Sequence, residues 1–188
     1  MKLLLVMKIL LVYAIPEEKI EINIPNAEVI YVETGMGKVN AAMNTMRAIC
    51  EYHPDMVISF GTAGTINHKV GDIIVCNRFI DRDLRKVTID GVISEIEFEK
   101  FSNFSNSIWG TCNTGDSFIT QGADIEGDVI DMEAFAEAEV CRKMGIPFVS
   151  VKYVTDVVGQ NSVKDWYDKI ADAREGLKEF FYDNVSIK

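Results

Sequence analysis

The sequence predicts an α/β protein with three layers, α/β/α, in which helices cover both faces of a central mixed, largely parallel, twisted sheet. Two observations lead to this fold. Short apolar runs of strand character alternate along the chain with longer segments of helical periodicity, and no internal repeat or linker interrupts them. The 188 residues, of which 48% are hydrophobic, suit one domain over residues 1–188 with a substantial core.

The first third of the chain predicts three strands and a helix. Residues 9–14 form an apolar run that is typical of a strand buried on both faces, and residues 29–32 are a shorter β-rich run. Apolar side chains recur at helical spacing over residues 38–52. Residues 56–60 are a further buried strand, and Gly61-Thr62-Ala63-Gly64 is predicted to be the turn that follows it.

Turn signals and apolar runs predict the remaining elements. Asp90-Gly91 favours a tight turn, so residues 87–93 are interpreted as a hairpin. Gly145, followed by Pro147, is predicted to end a helix that starts at Glu133. The other predicted elements are strands at residues 72–76, 129–130 and 148–154, a loop at 102–107 and a last helix at 163–182.

The start of the chain is apolar from Met1 to Ala14. Lys8 interrupts this run, which is also too short for a transmembrane helix, so it is interpreted as the first strand. The sequence Met-Lys-Ile-Leu-Leu-Val, which begins at Met7, resembles the beginning of a protein chain, so Met7 is a second candidate for the translation start.

The net charge of -10 and the pI of about 4.7 indicate an acidic surface. Such a surface repels phosphate backbones and anionic lipids, so neither nucleic acid nor a membrane surface is expected as a partner. The acidity says little about small uncharged ligands, so a small molecule stays possible as the partner.

The cysteines and histidines predict neither disulfides nor a metal site. The four cysteines are widely spread and form no Cys-x-x-Cys pair, which indicates free thiols in a reducing compartment and predicts a cytoplasmic protein. His53 and His68 are the two histidines of the chain, so no zinc site is expected.

Carboxylates and glycines follow several of the predicted strands. Glu17 and Glu18 follow the first strand, Glu133 follows the strand at 129–130, and Asp156 follows the strand at 148–154. Ligands of such sheets bind beyond the carboxyl ends of the strands, where these side chains would converge. A pocket with several carboxylates and glycine-lined backbone, but no basic cluster, suits a neutral polyhydroxylated ligand.

Each of these residues also has a structural explanation. Glu133 lies in the first turn of a helix, where the helix dipole favours a negative side chain. Asp156 follows a strand, where aspartate is common as a turn or cap residue. Glu17 and Glu18 could form a solvated helix start, and the glycines at 61 and 64 could be ordinary turn residues.

The segment Gly35-Met36-Gly37-Lys38 matches nucleotide-binding motifs incompletely. The dinucleotide fingerprint requires a third glycine where Asn40 stands, and the P-loop requires serine or threonine where Val39 follows the lysine. The segment is therefore interpreted as a tight strand-to-helix turn, and no cofactor is predicted.

Several motifs together resemble one enzyme superfamily. They are Gly61-Thr62-Ala63-Gly64, Val70-Gly71-Asp72, Thr114-Gly115-Asp116-Ser117-Phe118-Ile119, Asp131-Met132-Glu133-Ala134 and Val151-Lys152-Tyr153-Val154-Thr155-Asp156. In this order they resemble the nucleoside phosphorylase and nucleosidase superfamily, and most closely the 5′-methylthioadenosine/S-adenosylhomocysteine nucleosidases. The resemblance runs from Lys8 to about Trp166 and implies a nucleoside phosphorylase-like fold.

The resemblance implies a role for each residue of the site. Asp156 would protonate N7 of the purine, and Glu18, which aligns with a family glutamate, would activate water. Glu133 would bind the ribose hydroxyls. The further residues implied are Met132 beside the sugar, Phe118 stacked on the base, Ile119 at the base edge, and Thr62, Ala63, Gly64 and Trp166 around the pocket.

The chain departs from the family pattern at three places. Lys152 stands where an arginine is usual, and Asp81-Arg82-Asp83 replaces a His-Asp element. The segment between Asp83 and Trp109 is short, and relatives use it for the dimer contact and for the 5′ end of the pocket. The specificity for the 5′ substituent is therefore open.

The expected function is hydrolysis of the N-glycosidic bond of a purine nucleoside by a homodimeric purine nucleosidase. Two alternatives stand beside it: a purine nucleoside phosphorylase, in which phosphate replaces water, and a nucleoside-binding protein without catalysis. In phosphorylases of this superfamily an arginine occupies the position of Ser59, and a basic residue lies in the loop that holds Glu17 and Glu18 here. Water is therefore the expected nucleophile.

Overall fold

A computed structural model describes residues 6–119, 125–159 and 162–184 of the chain. These residues form eight strands and three α-helices. The strands are β1 (Met7–Tyr13), β2 (Ala27–Glu33), β3 (Met56–Thr65), β4 (Ile73–Asp81), β5 (Glu95–Glu97), β6 (Ile108–Thr114), β7 (Val129–Asp131) and β8 (Phe148–Val157). The helices are α1 (Lys38–Tyr52), α2 (Ala134–Met144) and α3 (Ser162–Asn184).

The strands form one mixed sheet in which parallel pairs predominate. β1 pairs in parallel with β2 and β3, β3 with β8, β4 with β6, and β6 with β7. The antiparallel pairs are β3 with β7, β4 with β5, and β4 with β8. Because β3, β8, β4, β6 and β7 are each paired with the next and β7 returns to β3, this part of the sheet closes into a ring. The predicted fold class is confirmed.

Apolar side chains fill the space on both faces of the sheet. On one face, Ala48 of α1 and Ala138 of α2 pack in one apolar cluster with Phe148 of β8. On the other face, α3 contributes Ala173 and Leu177 to a second cluster, together with Phe181 one turn further on. These α3 residues recur every fourth position, which gives the helix one apolar face. The two clusters make the three layers that the sequence predicts.

Three elements run further than the sequence patterns indicate. The Gly61-Thr62-Ala63-Gly64 segment was expected to be a turn, but it lies inside β3, where it pairs with β8. Asp156 likewise lies within β8 and not after it. The strand predicted at residues 72–76 continues as β4 to Asp81. In each case pairing with neighbouring strands extends the element beyond its apolar run.

The hairpin predicted at residues 87–93 is wrong. A turn does form at Asp90-Gly91, with a hydrogen bond from the Val92 amide to the Ile89 carbonyl, but no strands flank it. Val92 and Ile89 are 38% and 66% exposed, so a large part of each side chain remains open to solvent. An Asp-Gly turn supports a hairpin when apolar side chains on both arms have a surface to cover.

Two further features concern the hydropathy of the helices and the state of the cysteines. Within the described ranges, no helix has the length and the hydropathy needed to cross a bilayer. The four cysteines are free thiols, with Cys76, Cys112 and Cys141 buried and Cys50 exposed.

Candidate active site

A cavity of about 300 Å³ opens at the carboxyl ends of the central strands. β1, β3, β7 and β8 all contribute lining residues from their carboxyl ends. The ten site residues predicted from the sequence all line this cavity: Glu18, Thr62, Ala63, Gly64, Phe118, Ile119, Met132, Glu133, Asp156 and Trp166. Its volume lies at the lower end of the range for small-molecule sites.

Glu18 is held against β3 by Thr62. The residue ends a short 3-10 helix, Pro16–Glu18, and is 6% exposed, whereas Glu17 is exposed to solvent. The backbone amide of Thr62 donates to Glu18 Oε1 at 2.8 Å, and the Thr62 hydroxyl donates to the same oxygen at 2.6 Å. A side-chain carbon at Gly61 would lie 2.9 Å from Oε1, so this close approach requires glycine. The carboxylate therefore has a fixed position on the wall of the pocket.

Trp166 joins this arrangement from α3. Its indole Nε1–H donates to Thr62 Oγ1 at 2.8 Å, and its ring contacts Tyr167 edge-on with ring centroids 4.6 Å apart. Both aromatic side chains line the cavity, so the beginning of α3 lies beside the pocket.

Asp156 lies on β8 opposite Gly64 of β3. The side chain is 5% exposed, and the Thr155 hydroxyl donates to Asp156 Oδ1 at 2.8 Å. The β3–β8 register shifts between Ala63 and Gly64, which aligns Asp156, rather than Thr155, with Gly64. Asp156 Oδ2 approaches the Gly64 backbone so closely that a side-chain carbon there would lie 3.1 Å away.

The two carboxylates contact the same strand at different points. Glu18 contacts Gly61 and Asp156 contacts Gly64. In an extended strand these two glycines are separated by about 10 Å.

Glu133 precedes α2 and is anchored by the turn before α1. The Gly37 amide donates to Glu133 Oε1 at 2.8 Å. Burial, and after it the charge of Asp131, raises the pKa of Glu133 to about 8, while Lys152 and the Gly37 amide oppose the shift. The other carboxyl oxygen, Oε2, accepts from the Met132 amide at 3.3 Å, so backbone donors hold both oxygens. The Gly35-Met36-Gly37-Lys38 turn thus positions a carboxyl group.

Lys152, which replaces the arginine of the family pattern, is buried beneath the cavity. Its Nζ lies 2.9 Å from Asp131 Oδ2, and the two side chains are 4% and 1% exposed. Burial alone would lower the pKa of Lys152, but the charge of Asp131 and of other nearby groups raises it well above its usual range. Asp131 also accepts hydrogen bonds from the Thr114 hydroxyl at 2.6 Å and from the Ala134 amide at 2.9 Å. Lys152 therefore forms its ion pair with a carboxylate that two further hydrogen bonds hold in place.

Glu137 is a buried carboxyl that the sequence patterns did not reveal. It lies one turn after Glu133 on α2, is 1% exposed, and accepts a long hydrogen bond of 3.5 Å from the Thr34 hydroxyl. Burial raises the pKa of Glu137 to about 7, although the charge of Lys152 opposes the shift. The charges of Asp131, Glu133 and Glu137 all act on Lys152, which forms its ion pair with Asp131.

Arg82 holds the segment that carries Phe118. Arg82 Nη2 donates to the carbonyls of Gly115 and Ser117 at 2.7 and 2.6 Å, and Nη1 donates to the carbonyls of Asn113 and Asp131 at 3.0 and 3.1 Å. This arginine belongs to the Asp81-Arg82-Asp83 element that replaces the His-Asp element of the family. Its role is therefore to fix the backbone on which the predicted base-stacking residue lies.

Lys38 and Asp116 tie the same segment to α1. The backbone amide of Lys38 donates to Asp116 Oδ1 at 2.7 Å. The Lys38 ammonium contacts Asp81 at 3.1 Å and Asp83 at 2.6 Å. Since Asp83 also accepts a hydrogen bond from the Asp116 amide, the charged groups form one connected network at the cavity edge.

Part of the cavity wall is apolar. Phe118 is 48% exposed and Ile119 is partly buried, and both face the cavity together with Met36 and Met132. An apolar wall beside a few fixed polar groups is typical of a site for a flat aromatic ligand with polar edges. The described residues include no cluster of His, Cys, Asp or Glu placed to hold a metal ion.

The fold and the site together define a class of protein: a three-layer α/β protein with buried carboxyls at the carboxyl ends of its sheet. A family model for the phosphorylase superfamily matches residues 18–105 and 109–181. A 5′-methylthioadenosine/S-adenosylhomocysteine nucleosidase of Bacillus pumilus (strain SAFR-032) is 32% identical, over 72% of this chain and 71% of that protein. The chain therefore belongs to the phosphorylase superfamily and, within it, to the family of the 5′-methylthioadenosine/S-adenosylhomocysteine nucleosidases.

Solved structures share the fold. The chain matches the 5′-methylthioadenosine/S-adenosyl homocysteine nucleosidase of Helicobacter pylori with a TM-score of 0.82 and 19% identity, covering 96% of this chain and 98% of that one. A futalosine hydrolase mutant of Helicobacter pylori strain 26695 matches with a TM-score of 0.83 and 18% identity, covering 96% and 99%. Identities this low show the fold and leave the substrate open.

Proposed function

We propose that this protein hydrolyses the N-glycosidic bond of a purine nucleoside and releases the free base and a ribose derivative. The observation that carries the proposal is the placement of Glu18 and Asp156 on the same cavity, at two separated points of β3. The proposal assigns Asp156 as the general acid and Glu18 as the base that deprotonates water.

The charge changes of the reaction match this pair of groups. Breaking the C1′–N9 bond leaves positive charge on the ribose and negative charge on the purine. A proton given by Asp156 to N7 neutralises the leaving base, and a carboxylate at Glu18 takes a proton from the attacking water. Each group of this kind contributes roughly 10²–10⁴-fold to the rate.

The other lining residues would hold the nucleoside between these two groups. Glu133 would bind the ribose hydroxyls, and Met132 would pack beside the sugar. Phe118 would stack on the purine while Ile119 lies at its edge. Fixing the sugar and the base in this way orients the C1′–N9 bond toward the water that Glu18 activates.

The substrate class follows from the relatives. The names of the related enzymes specify 5′-methylthioadenosine and S-adenosylhomocysteine, and one enzyme with the same fold is a futalosine hydrolase. All three are purine nucleosides altered at the 5′ position. We propose a substrate of this class.

A homodimer is the proposed assembly. Two apolar side chains on α1 are exposed: Val39 and Met43 are 77% and 59% exposed. They are four positions apart and therefore lie on one face of the helix, which a second copy of the chain could cover. Light scattering after size exclusion would test this proposal, and a monomer at micromolar concentration would contradict it.

A cytoplasmic location is proposed from the four free thiols. Free cysteines persist where the compartment is reducing. Cell fractionation with an antibody to the protein would test the location.

The experiment that tests the function is incubation of the protein with a panel of purine nucleosides. The panel includes methylthioadenosine, adenosylhomocysteine, futalosine, adenosine and inosine, and the released base and sugar are separated by chromatography. The proposal expects free base and free sugar from at least one 5′-altered nucleoside. Tight binding of these nucleosides without base release would instead support a nucleoside-binding protein.

A further inference from the structure

We propose that Trp166 is a positioning residue for Glu18 and acts on it through the hydroxyl of Thr62. This inference rests on the proposed function, in which Glu18 deprotonates the attacking water. The structural basis is a chain of two hydrogen bonds, from Trp166 Nε1 to Thr62 Oγ1 at 2.8 Å and from Thr62 Oγ1 to Glu18 Oε1 at 2.6 Å.

The direction of both hydrogen bonds is fixed by the groups at the two ends. An indole N–H can only donate, and an ionised carboxylate can only accept. Thr62 Oγ1 must therefore accept from Trp166 and point its own proton at Glu18. Without the indole, the hydroxyl could rotate toward other acceptors or toward water.

As a result, the two carboxylate oxygens of Glu18 have different hydrogen-bonding partners. Both hydrogen bonds that the described residues make to this carboxylate end on Oε1, one from the Thr62 amide and one from the Thr62 hydroxyl. Oε2 is thereby left to take the proton of water.

This arrangement links Glu18 to a separate part of the fold. Glu18 follows β1, Thr62 lies on β3 and Trp166 lies in the first turns of α3. The hydroxyl is oriented by a residue at the start of α3, so the readiness of the base depends on where this helix end lies. Trp166 would otherwise be a packing residue that covers the ligand, and the two roles give different kinetics.

The test uses Trp166→Phe, which keeps an aromatic ring but removes the N–H, and Thr62→Val, which keeps the shape of the side chain but removes the hydroxyl. The double variant and the wild type complete a double-mutant cycle, which measures whether the two side chains act independently. Trp109→Phe is the matched control, because its indole N–H donates to the Phe104 carbonyl at 3.1 Å and Trp109 does not line the cavity. Circular dichroism of each variant checks that the fold is retained.

A positioning role predicts that Trp166→Phe lowers kcat about 3- to 10-fold, the value of one hydrogen bond, while KM changes little. The double variant should be no slower than Thr62→Val alone, since the indole acts only through the hydroxyl.

Three results would overturn the inference in an enzyme whose wild type is active: unchanged kcat in Trp166→Phe, a loss that falls on KM alone, or losses that multiply in the double variant. Trp109→Phe should behave as wild type in every assay. If wild type itself releases no base from any nucleoside, the proposed function has failed, and the inference fails with it.

Discussion

Lys152 and Asp131 form a buried ion pair of 2.9 Å beneath the cavity, at the lysine where the sequence departs from the family pattern. An arginine presents a planar fork of donors, whereas lysine offers a compact charge on a flexible stem. In this chain Asp131 uses its second oxygen to accept from Thr114, so the charge of Lys152 is matched by one well-bonded carboxylate. The pair holds the end of β7, after which Met132 and Glu133 line the cavity.

The first prediction is that Lys152→Met destabilises the fold by about 3–5 kcal/mol, because Asp131 would be left buried without its partner. Lys143→Met is the matched control. Lys143 is on the exposed side of α2, where its pair with Glu139 at 3.4 Å is open to solvent, and its loss should cost at most about 1 kcal/mol. Urea unfolding of the three proteins measures both values. Equal stability of the two variants would contradict a structural role for the buried pair.

The second prediction concerns the pH dependence of stability. The pKa of Glu137 is about 7 in the folded protein against an ordinary value of 4.5, so the folded state binds more protons between these pH values. The contribution of this group is fully present below pH 4.5 and is lost as the pH rises through about 7. Titration of this one group changes the free energy of unfolding by at most about 1.4 kcal/mol per pH unit.

Glu137→Gln removes this titration and should flatten the fall in the free energy of unfolding over that window. Glu133, whose pKa of about 8 has the same sign, keeps part of the slope in the variant. The control is Glu139→Gln on the same helix, where Arg142 lowers the pKa of the carboxyl and the sign is opposite. Urea titrations at several pH values measure the slopes. A slope that Glu137→Gln leaves unchanged would show that this carboxyl is already ionised in the folded state.

The third prediction is that Asp156→Asn lowers kcat by at least roughly 10²-fold while the fold survives. Asparagine keeps the shape of the side chain and can still accept from the Thr155 hydroxyl, but it cannot deliver a proton to the purine. Asp168→Asn, at an exposed position on α3, is the control and should be fully active. Turnover of Asp156→Asn close to wild type would remove this residue from the mechanism.

The parts of the fold that the sequence predicts are those with a strong local pattern. α1 has the predicted bounds, Lys38–Tyr52, because its apolar side chains recur at helical spacing between Gly37 and His53. β6 was not predicted. Its residues include Asn113 and Thr114, which are 3% and 0% exposed and owe their burial to hydrogen bonds with distant residues. Such contacts leave no periodic trace in the sequence.

The same limit applies to the site. Glu18, Glu133 and Asp156 could be selected because they follow apolar strands whose carboxyl ends meet. Glu137 could not, because its neighbours come from other elements and Thr34 is separated from it by 103 positions. Arg82 was noted only as a departure from a motif, and its four carbonyl partners become visible only when β4, β6 and β7 lie side by side.

The fourth prediction separates a ribose contact from a structural role for Glu133. If this carboxyl binds the ribose hydroxyls, Glu133→Gln should lower kcat/KM strongly for ribosides and little for 2′,3′-dideoxy analogues, which lack those hydroxyls. The Gly37 amide can still donate to the glutamine side chain, so the turn before α1 should be retained. Activities on the paired substrates are compared within one variant, so general damage cancels. Equal losses on both substrates would indicate that Glu133 acts only on the fold.

The last prediction is that the nucleophile is water and not phosphate. A phosphorylase must hold a phosphate dianion beside the ribose, which it normally does with arginines and backbone donors. Ser59, at the position of one such arginine, is 2% exposed inside β3 and carries no charge. Lys19, the basic residue nearest to Glu18 in the sequence, lies at the surface with its Nζ 3.9 Å from Glu21. Arg82 does line the cavity, but both of its terminal nitrogens already donate hydrogen bonds to backbone carbonyls and are therefore occupied.

A carboxylate at Glu18 would repel a phosphate dianion, whereas it is the group that water requires. Base release should therefore proceed at the same rate in buffer without phosphate and in buffer with about 50 mM phosphate, a concentration well above micromolar-to-millimolar KM values. The sugar product should be free ribose or a 5-substituted ribose, identified by chromatography and mass spectrometry. A matched salt series with chloride controls for ionic strength, because phosphate also screens the acidic surface. Formation of a ribose 1-phosphate, at a rate that rises with phosphate and not with chloride, would establish a phosphorylase instead.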